Sequence, residues 1–491
     1  MSMISRIAVL VLTVASMALV RSGTALGATG VSAAGAATQA PQPARSTAAT
    51  HPLAVSGARL WVARYNGGSG DDAAVQVAAS PDGARVYVTG YSLGITSGED
   101  YATAAYSGAT GARLWVARYN GPANGDDRAS SVTVSPDGAS VYVTGTSSAA
   151  PGTDAATIAY SAASGARLWV ARYNSYGYGS ASSVAVSPDG AKVYITGISQ
   201  GSPDGGAVYG TVAYEAATGA RLWAALWGGN SGDHNYPTGL AVSPDGKRVY
   251  VTGGDGETNS TTGDYGTVAY NAATGAQLWA SQYNGPTDDR DVAAALSVSP
   301  DGARVYVTGT TSNNDVSNVY GTIAYNAATG ARLWIARYKG PGGDDEASSL
   351  AVSPDGKRVF VTGATRAAPY PSTNYDYAAI AYSATGTRLW VKLYNGPGNR
   401  NDQASSVTAP GNGKVYVTGS AYDGSTRRHD YATIAYDVFT GARLWVRLYN
   451  GPGNANDEAT SVTARAGRVF VTGDSPGTSS GLDYATVAYH S

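Results

Sequence analysis

The chain has 491 residues, a net charge of -2 and 14% charged side chains, with 64 Gly, 35 Tyr, 9 Trp and 3 Phe. It carries no basic stripe, which argues against nucleic acid as a partner, and no cysteine, which excludes disulfides, thiolate metal sites and cysteine catalysis.

The N-terminus reads as an export signal. Arg6 supplies the positive start, residues 7–20 form an apolar run, and Ala25-Leu26-Gly27 has the small residues of a cleavage site. The run is shorter than the roughly 20 apolar residues a spanning helix needs. Residues 1–27 are therefore expected to be a signal peptide, placing the protein outside the cell or in the cell envelope. Residues 28–52 are rich in Ala, Thr, Ser and Pro without apolar periodicity, as in a flexible linker. The remaining segment, 53–491, has no stretch able to span a bilayer.

From Trp61 onward one unit repeats. Leu-Trp recurs at Trp61, Trp115, Trp169, Trp223, Trp279, Trp334, Trp390 and Trp445, 54 to 56 residues apart. A fixed period of this kind means one supersecondary unit stacked on itself. The copy from Asp126 to Asn174 shows its parts. Residues 129–134 alternate small or polar with apolar side chains, and Ser135-Pro-Asp-Gly138 supplies a tight turn. Residues 141–144 and 155–160 are β-branched, alanine and aromatic runs, and a hairpin at Gly165 leads to a fourth strand over 167–173. No stretch has a helical period. The chain enters on a lone fourth strand, 57–65, and leaves after a third strand, 483–489. Pairing those two predicts an all-β, eight-bladed β-propeller of four-stranded antiparallel blades, closed between its ends.

The segment Ala435-Tyr-Asp437-Val-Phe-Thr440-Gly441-Ala-Arg-Leu-Trp445 resembles the tryptophan-docking motif of eight-bladed quinoprotein (PQQ-type) propellers. Other copies depart from it: Glu215, Asn271 and Asn326 stand for the acid, Ser107, Ser161 and Ser383 replace it, and the copy ending at Trp390 is one residue shorter. The other half of each repeat, such as Gly70-Asp71-Asp72, Ser80-Pro-Asp-Gly83 and Val86-Tyr-Val-Thr-Gly90, is similar to SBBP and YVTN propeller repeats. The resemblance implies that the eight Leu-Trp indoles dock neighbouring blades. It also raises an enzymatic alternative, a quinoprotein- or lactonase-like propeller. Many quinoprotein dehydrogenases use a cofactor-adjacent disulfide, and this chain has no Cys, so PQQ is not expected.

Strand order sorts the connections onto two faces. The Ser-Pro-Asp-Gly and Thr-Gly turns share one face, and the variable loops share the other, where binding usually resides. An acid recurs on that side eight residues before the turn, at Asp72, Asp127, Asp291, Asp345, Asp402 and Asp457. These acids either ring a Ca²⁺ ion or cap their own loops, and capping is the expectation because the feature repeats with the scaffold. A second acid opens the third strand at Asp100, Asp154, Asp264, Asp376, Asp430 and Asp483, with loop capping again expected. Two repeats break the first series with Gly179 and Asn235, and their loops carry Tyr176, Tyr178, Trp227, Asp233, His234 and Tyr236. These are the candidate ligand-binding residues. Arg427-Arg428-His429-Asp430 sets a His beside an Asp, but no nucleophile elbow, metalloprotease helix or phosphate loop accompanies it, so no catalytic residue is assigned. The expected function is a secreted, monomeric, non-catalytic binding module that recognises a glycan, peptide or protein through its variable face. No cofactor is expected beyond Ca²⁺.

Overall fold

The computed structural model describes residues 55–491, except 69, 95, 203–204, 230–233, 257–262, 288–289, 314–316, 370–373 and 480. The segments read as signal peptide and linker lie outside the described residues, as does Asp233 of the aromatic loops. Every described element is a strand or a turn, and none is a helix.

The first strand, β1 (Arg59–Tyr65), is followed by blade 1: β2 (Asp72–Ala79), β3 (Arg85–Leu93), β4 (Glu99–Ser107) and β5 (Arg113–Tyr119). The same antiparallel quartet recurs to give 32 strands, hence eight blades, numbered here in chain order. Six blades are separate four-stranded sheets. Blades 3 and 4 merge into one eight-stranded sheet through a single parallel pairing, Ala207 with His234. In each blade the third strand, such as β4, is buried along nearly its whole length, because neighbouring blades cover both its faces. Its alternation of Ala, Thr or Gly with Tyr suits that position, since small residues let adjacent sheets approach while tyrosines fill the gaps.

β1 completes the last blade. It lies against Leu482–His490, with Arg59 opposite Tyr489 and Tyr65 opposite Tyr484, beside Arg468–Pro476 and then Glu458–Arg465. The end-to-end closure expected from the lone terminal strands is present, and it leaves no blade short of a strand.

The Leu-Trp residues perform one task eight times. Trp61 Nε1 donates to the Gly108 carbonyl at 3.1 Å, Trp115 to Ala162 at 3.1 Å, and Trp169 to Ala216 at 2.9 Å. Trp223, Trp279, Trp334 and Trp390 follow the same rule onto Ala272, Ala327, Ala384 and Val438. Trp445 donates instead to Ser56 Oγ at 3.2 Å. Each indole also lies on the hairpin glycine of the next blade. A Cβ on Gly111 would come within 2.6 Å of the Trp61 ring, and on Gly57 within 2.8 Å of Trp445. The positive φ of Gly111 (71°) and the lack of room together require glycine there.

The Ser-Pro-Asp-Gly turns, on the same rim as the docking hairpins, are equally regular. Ser80 Oγ donates to Asp82 Oδ1 at 2.5 Å, and the Ala84 and Arg85 amides donate to Asp82 Oδ1 and Ser80 Oγ at 2.9 Å. The Ser80 hydroxyl and the Ala84 amide hold the Asp82 carboxyl below its ordinary pKa. Blades 2 to 6 repeat this turn at Ser135, Ser187, Ser243, Ser299 and Ser353. Blades 7 and 8 turn through Gly411–Gly413 and Ala466-Gly467 instead.

Candidate functional site

The first acid series serves the loops. Gly67 N donates to Asp72 Oδ2 at 2.7 Å, Gly121 N to Asp127 at 2.5 Å, and Gly451 N to Asp457 at 2.8 Å. Gly285, Gly340 and Gly396 amides do the same for Asp291, Asp345 and Asp402. Several of these carboxylates also receive an amide from the other variable loop of the blade, as Asp127 does from Ser148 and Asp402 from Tyr422. Asp127 and Asp402 thus tie two loops of their blades together. Among the described residues no group of three or more His, Asp, Glu or Cys side chains gathers as a metal would require.

The second acid series does something else. Capping of local backbone was expected, but in blades 1, 2 and 8 the acid belongs to a socket that grips an arginine from the fourth strand. Arg118 Nη2 donates to Asp100 Oδ2 at 3.0 Å and to the Ser92 carbonyl at 2.9 Å, while its Nη1 reaches Ser92 Oγ at 2.6 Å and Tyr65 OH at 3.3 Å. Arg172 grips Asp154 at 2.7 Å, Ser147 Oγ at 2.8 Å, the Ser148 carbonyl at 2.9 Å and Tyr119 OH at 2.6 Å. Arg64 repeats the pattern with Asp483, Ser475 and Tyr449. The planar fork of a guanidinium suits this set of one carboxylate, one hydroxyl, one carbonyl and one phenol. The arginine carries a sequence signal of its own, since acid and arginine stand 18 residues apart in both Asp100/Arg118 and Asp154/Arg172.

The other blades vary the socket. Blade 3 has Val208 and Leu226 in place of both partners, and blade 5 has Val319 with Arg337 bonded to Tyr283 OH alone. Blades 6 and 7 keep the acid and lose the base. Register fixes the equivalence: Asp376 lies opposite Thr365, and Asp430 opposite Ala421, as Asp100 lies opposite Ser92. Leu393 and Leu448 lie opposite Ala378 and Ala432, as Arg118 lies opposite Ala102. Asp376 is 8% exposed and Asp430 2%, and Oδ1 of each is buried without a hydrogen-bond partner. Burial raises the Asp376 carboxyl. Burial, followed by repulsion from Asp423 and Asp457, pushes Asp430 up to about 7, and Asp402 is pushed up to about 6, mainly by burial.

The aromatic sector is only partly assembled. Tyr176-Gly177 forms a two-residue turn with φ of 54° and 87°, pinned by paired 3.2 Å bonds between Ser175 and Tyr178. Tyr176 is 58% and Tyr178 42% exposed. Tyr236 faces blade 5, where Arg290 Nη2 donates to its hydroxyl at 2.9 Å. Asn235 replaces the capping acid and donates to the Ala207 and Gly228 carbonyls, and His234 pairs with Ala207. Trp227 takes the place held by Tyr65 or Tyr119 in other blades. Its ring is 4.8 Å from that of Tyr209 and lies over Gly266 of blade 4. It is therefore a half-buried blade contact, and the structure does not bring it to the loop surface.

His429 and Asp430 separate because successive strand residues face opposite sides. The His429 ring meets Tyr422 edge-on and bonds the Asn401 carbonyl at 3.0 Å, while Asp430 is buried.

Closure, docking and register define a β-propeller built of PQQ-like repeats. Residues 264–481 match the family described as outer membrane protein assembly factor BamB. Among solved structures, the chain is similar to Chaetomium thermophilum Sqt1 at 13% identity and TM-score 0.57, covering 88% of this chain and 100% of that one. It is similar to the Dos1 propeller at 12% identity and TM-score 0.54, over 88% and 95% of the two chains. A quinohemoprotein alcohol dehydrogenase from Pseudomonas putida HK5 aligns at 14% identity and TM-score 0.52, over 87% and 75%. At these identities the likeness is one of fold. No curated protein matches the chain. No described helix is long and apolar enough to cross a membrane.

Proposed function

We propose that the protein is an exported, non-catalytic binding module that recognises a glycan, peptide or protein through its variable loops. The observation that carries this reading is the contrast between the two faces. On one, six turns share a single hydrogen-bonded design, whereas on the other the loops differ from blade to blade and expose Tyr176 and Tyr178. Exposed tyrosines on a hydrogen-bonded turn offer rigid, amphipathic contact area. The similar propeller of Chaetomium thermophilum Sqt1 has been observed bound to the N-terminus of ribosomal protein L10, an example of this fold holding a polypeptide.

Glycan and peptide arrays probed with the native protein and with Tyr176→Ala/Tyr178→Ala test the proposal. Specific binding that the double variant loses, with an unchanged circular dichroism spectrum, supports it. Saturable dye-linked dehydrogenase turnover after incubation with PQQ and Ca²⁺ would replace it with the enzymatic reading.

A further inference from the structure

Blades 6 and 7 hold side by side two sockets that blades 1, 2 and 8 fill with their own arginines. Blade 6 keeps the whole wall, with Asp376, Thr365 and Tyr338 where Asp100, Ser92 and Tyr65 stand around Arg118, while blade 7 keeps Asp430 and Tyr394 and has Ala421 in place of the hydroxyl. The filling group is gone, since Leu393 and Leu448 have neither charge nor a hydrogen-bond donor. Both buried carboxylates have an unpartnered Oδ1, as Asp483 does, but unlike Asp483 with Arg64 they have no arginine on the other oxygen. The gap also removes charge balance from the neighbouring loop acids. Asp72, Asp127, Asp291 and Asp457 each feel an arginine, while Asp402 feels only the negative charge of Asp376.

We propose that these two sockets bind guanidinium groups from outside the chain, namely two arginine side chains of a polypeptide partner. The molecule itself supplies the precedent: three copies of the socket hold a guanidinium through the same kinds of atoms. In those copies the arginine side chain stays 21–29% exposed, so the socket opens to solvent at its mouth. In blade 6 the covering residue, Leu393, is itself 40% exposed and presents an apolar lip against which an arginine stem packs. Two such sockets on adjacent blades favour a ligand with two arginines, because the second contact forms at high effective concentration. This proposal reaches beyond the tyrosine sector and concerns different blades, so the failure of either leaves the other standing.

Isothermal titration at pH 8 with a blocked Arg-Gly-Ser-Arg peptide, its lysine counterpart, free L-arginine and CaCl₂ provides the test. The arginine peptide should bind, the lysine peptide at least about tenfold more weakly, and free arginine more weakly still. Leu393→Arg/Leu448→Arg, which fills both sockets from within, should abolish binding while raising the melting temperature. Asp376→Asn/Asp430→Asn should abolish it with the fold retained. Binding by the arginine-filled variant equal to the native protein would overturn the assignment, as would no binding by the native protein. Equal affinity for free arginine would overturn the polypeptide partner, and an Asp376-dependent calcium isotherm without arginine binding would replace guanidinium by a metal.

Discussion

Blades 1, 2 and 8 and blades 6 and 7 share one backbone, one docking tryptophan and one acid at the head of the third strand, yet they treat that acid in opposite ways. In the first group Arg118, Arg172 and Arg64 neutralise it and stitch the fourth strand to the tyrosine of the preceding blade. In the second group a leucine stands where the arginine was, and the acid remains buried with its charge unmatched. Blade 3 shows the tolerant solution, with Val208 and Leu226 replacing both partners at once. A repeat protein can thus specialise by subtraction. Exchanging one side chain in a copy leaves a structural acid without its partner while the scaffold stays the same.

Four changes sharpen or break this comparison. The largest effect is expected from deleting residues 53–66, which removes β1 together with Arg64. Blade 8 would lose its outer strand and expose an edge, so the protein should unfold or self-associate, as read by calorimetry and light scattering. Next is Arg118→Leu, which makes blade 1 resemble blade 6. Stranding Asp100 should destabilise by about 2–3 kcal/mol, below the ~3–5 kcal/mol of a fully buried pair because the arginine is partly exposed. Adding Asp100→Val, the blade 3 solution, should restore most of the loss in chemical denaturation.

Asp430→Asn works in the other direction and depends on pH. The folded protein holds the Asp430 proton up to about pH 7, whereas the unfolded chain releases it near about 4. This acid therefore leaves stability intact at low pH, erodes it as pH rises between those values, and has no further effect above them. Native protein and variant should match near pH 4, and the variant should be more stable by about 1–2 kcal/mol at pH 8. A constant difference across the range would show that Asp430 stays ionised in the folded state. The smallest effect is expected from Leu448→Arg alone, a gain of about 1 kcal/mol at pH 8 that shrinks by pH 5 as Asp430 protonates. Equal gains at both pH values would mean that the new arginine reaches Tyr394 but not the acid.

Most of the architecture was legible because it is written eight times. The spacing of Trp61 to Trp445 announces the blades, and the Thr-Gly or Ser-Gly before each indole announces the dock that Gly111 and its counterparts provide. The lone strand around Trp61 foretold its pairing with the strand of Tyr484. The sockets were harder to see. Asp100 and Arg118 come together only through the register of β4 on β5, and the phenol that completes the set, Tyr65, belongs to another blade. Trp227 is hard to place from sequence for a related reason. It is the one tryptophan outside the Leu-Trp series, but it is an enlarged version of the tyrosine that ends other fourth strands, so its oddity lies in size rather than placement. The first acid series followed expectation because an aspartate five or six residues after a glycine amide closes its loop without help from distant chain.

The meeting of the two ends sets an orientation. Gly57 N donates to the His490 carbonyl at 2.7 Å, Ser56 Oγ to the Ser491 carbonyl at 3.1 Å, and Ser491 N to the Gly467 carbonyl at 2.9 Å. Gly57 holds the hairpin position on which Trp445 docks, so both ends leave from the rim of regular turns. Anything attached there, whether a tether, a fused domain or a solid support, stands behind the disc. The loops with Tyr176 and the two proposed sockets then face away from the attachment, toward whatever approaches.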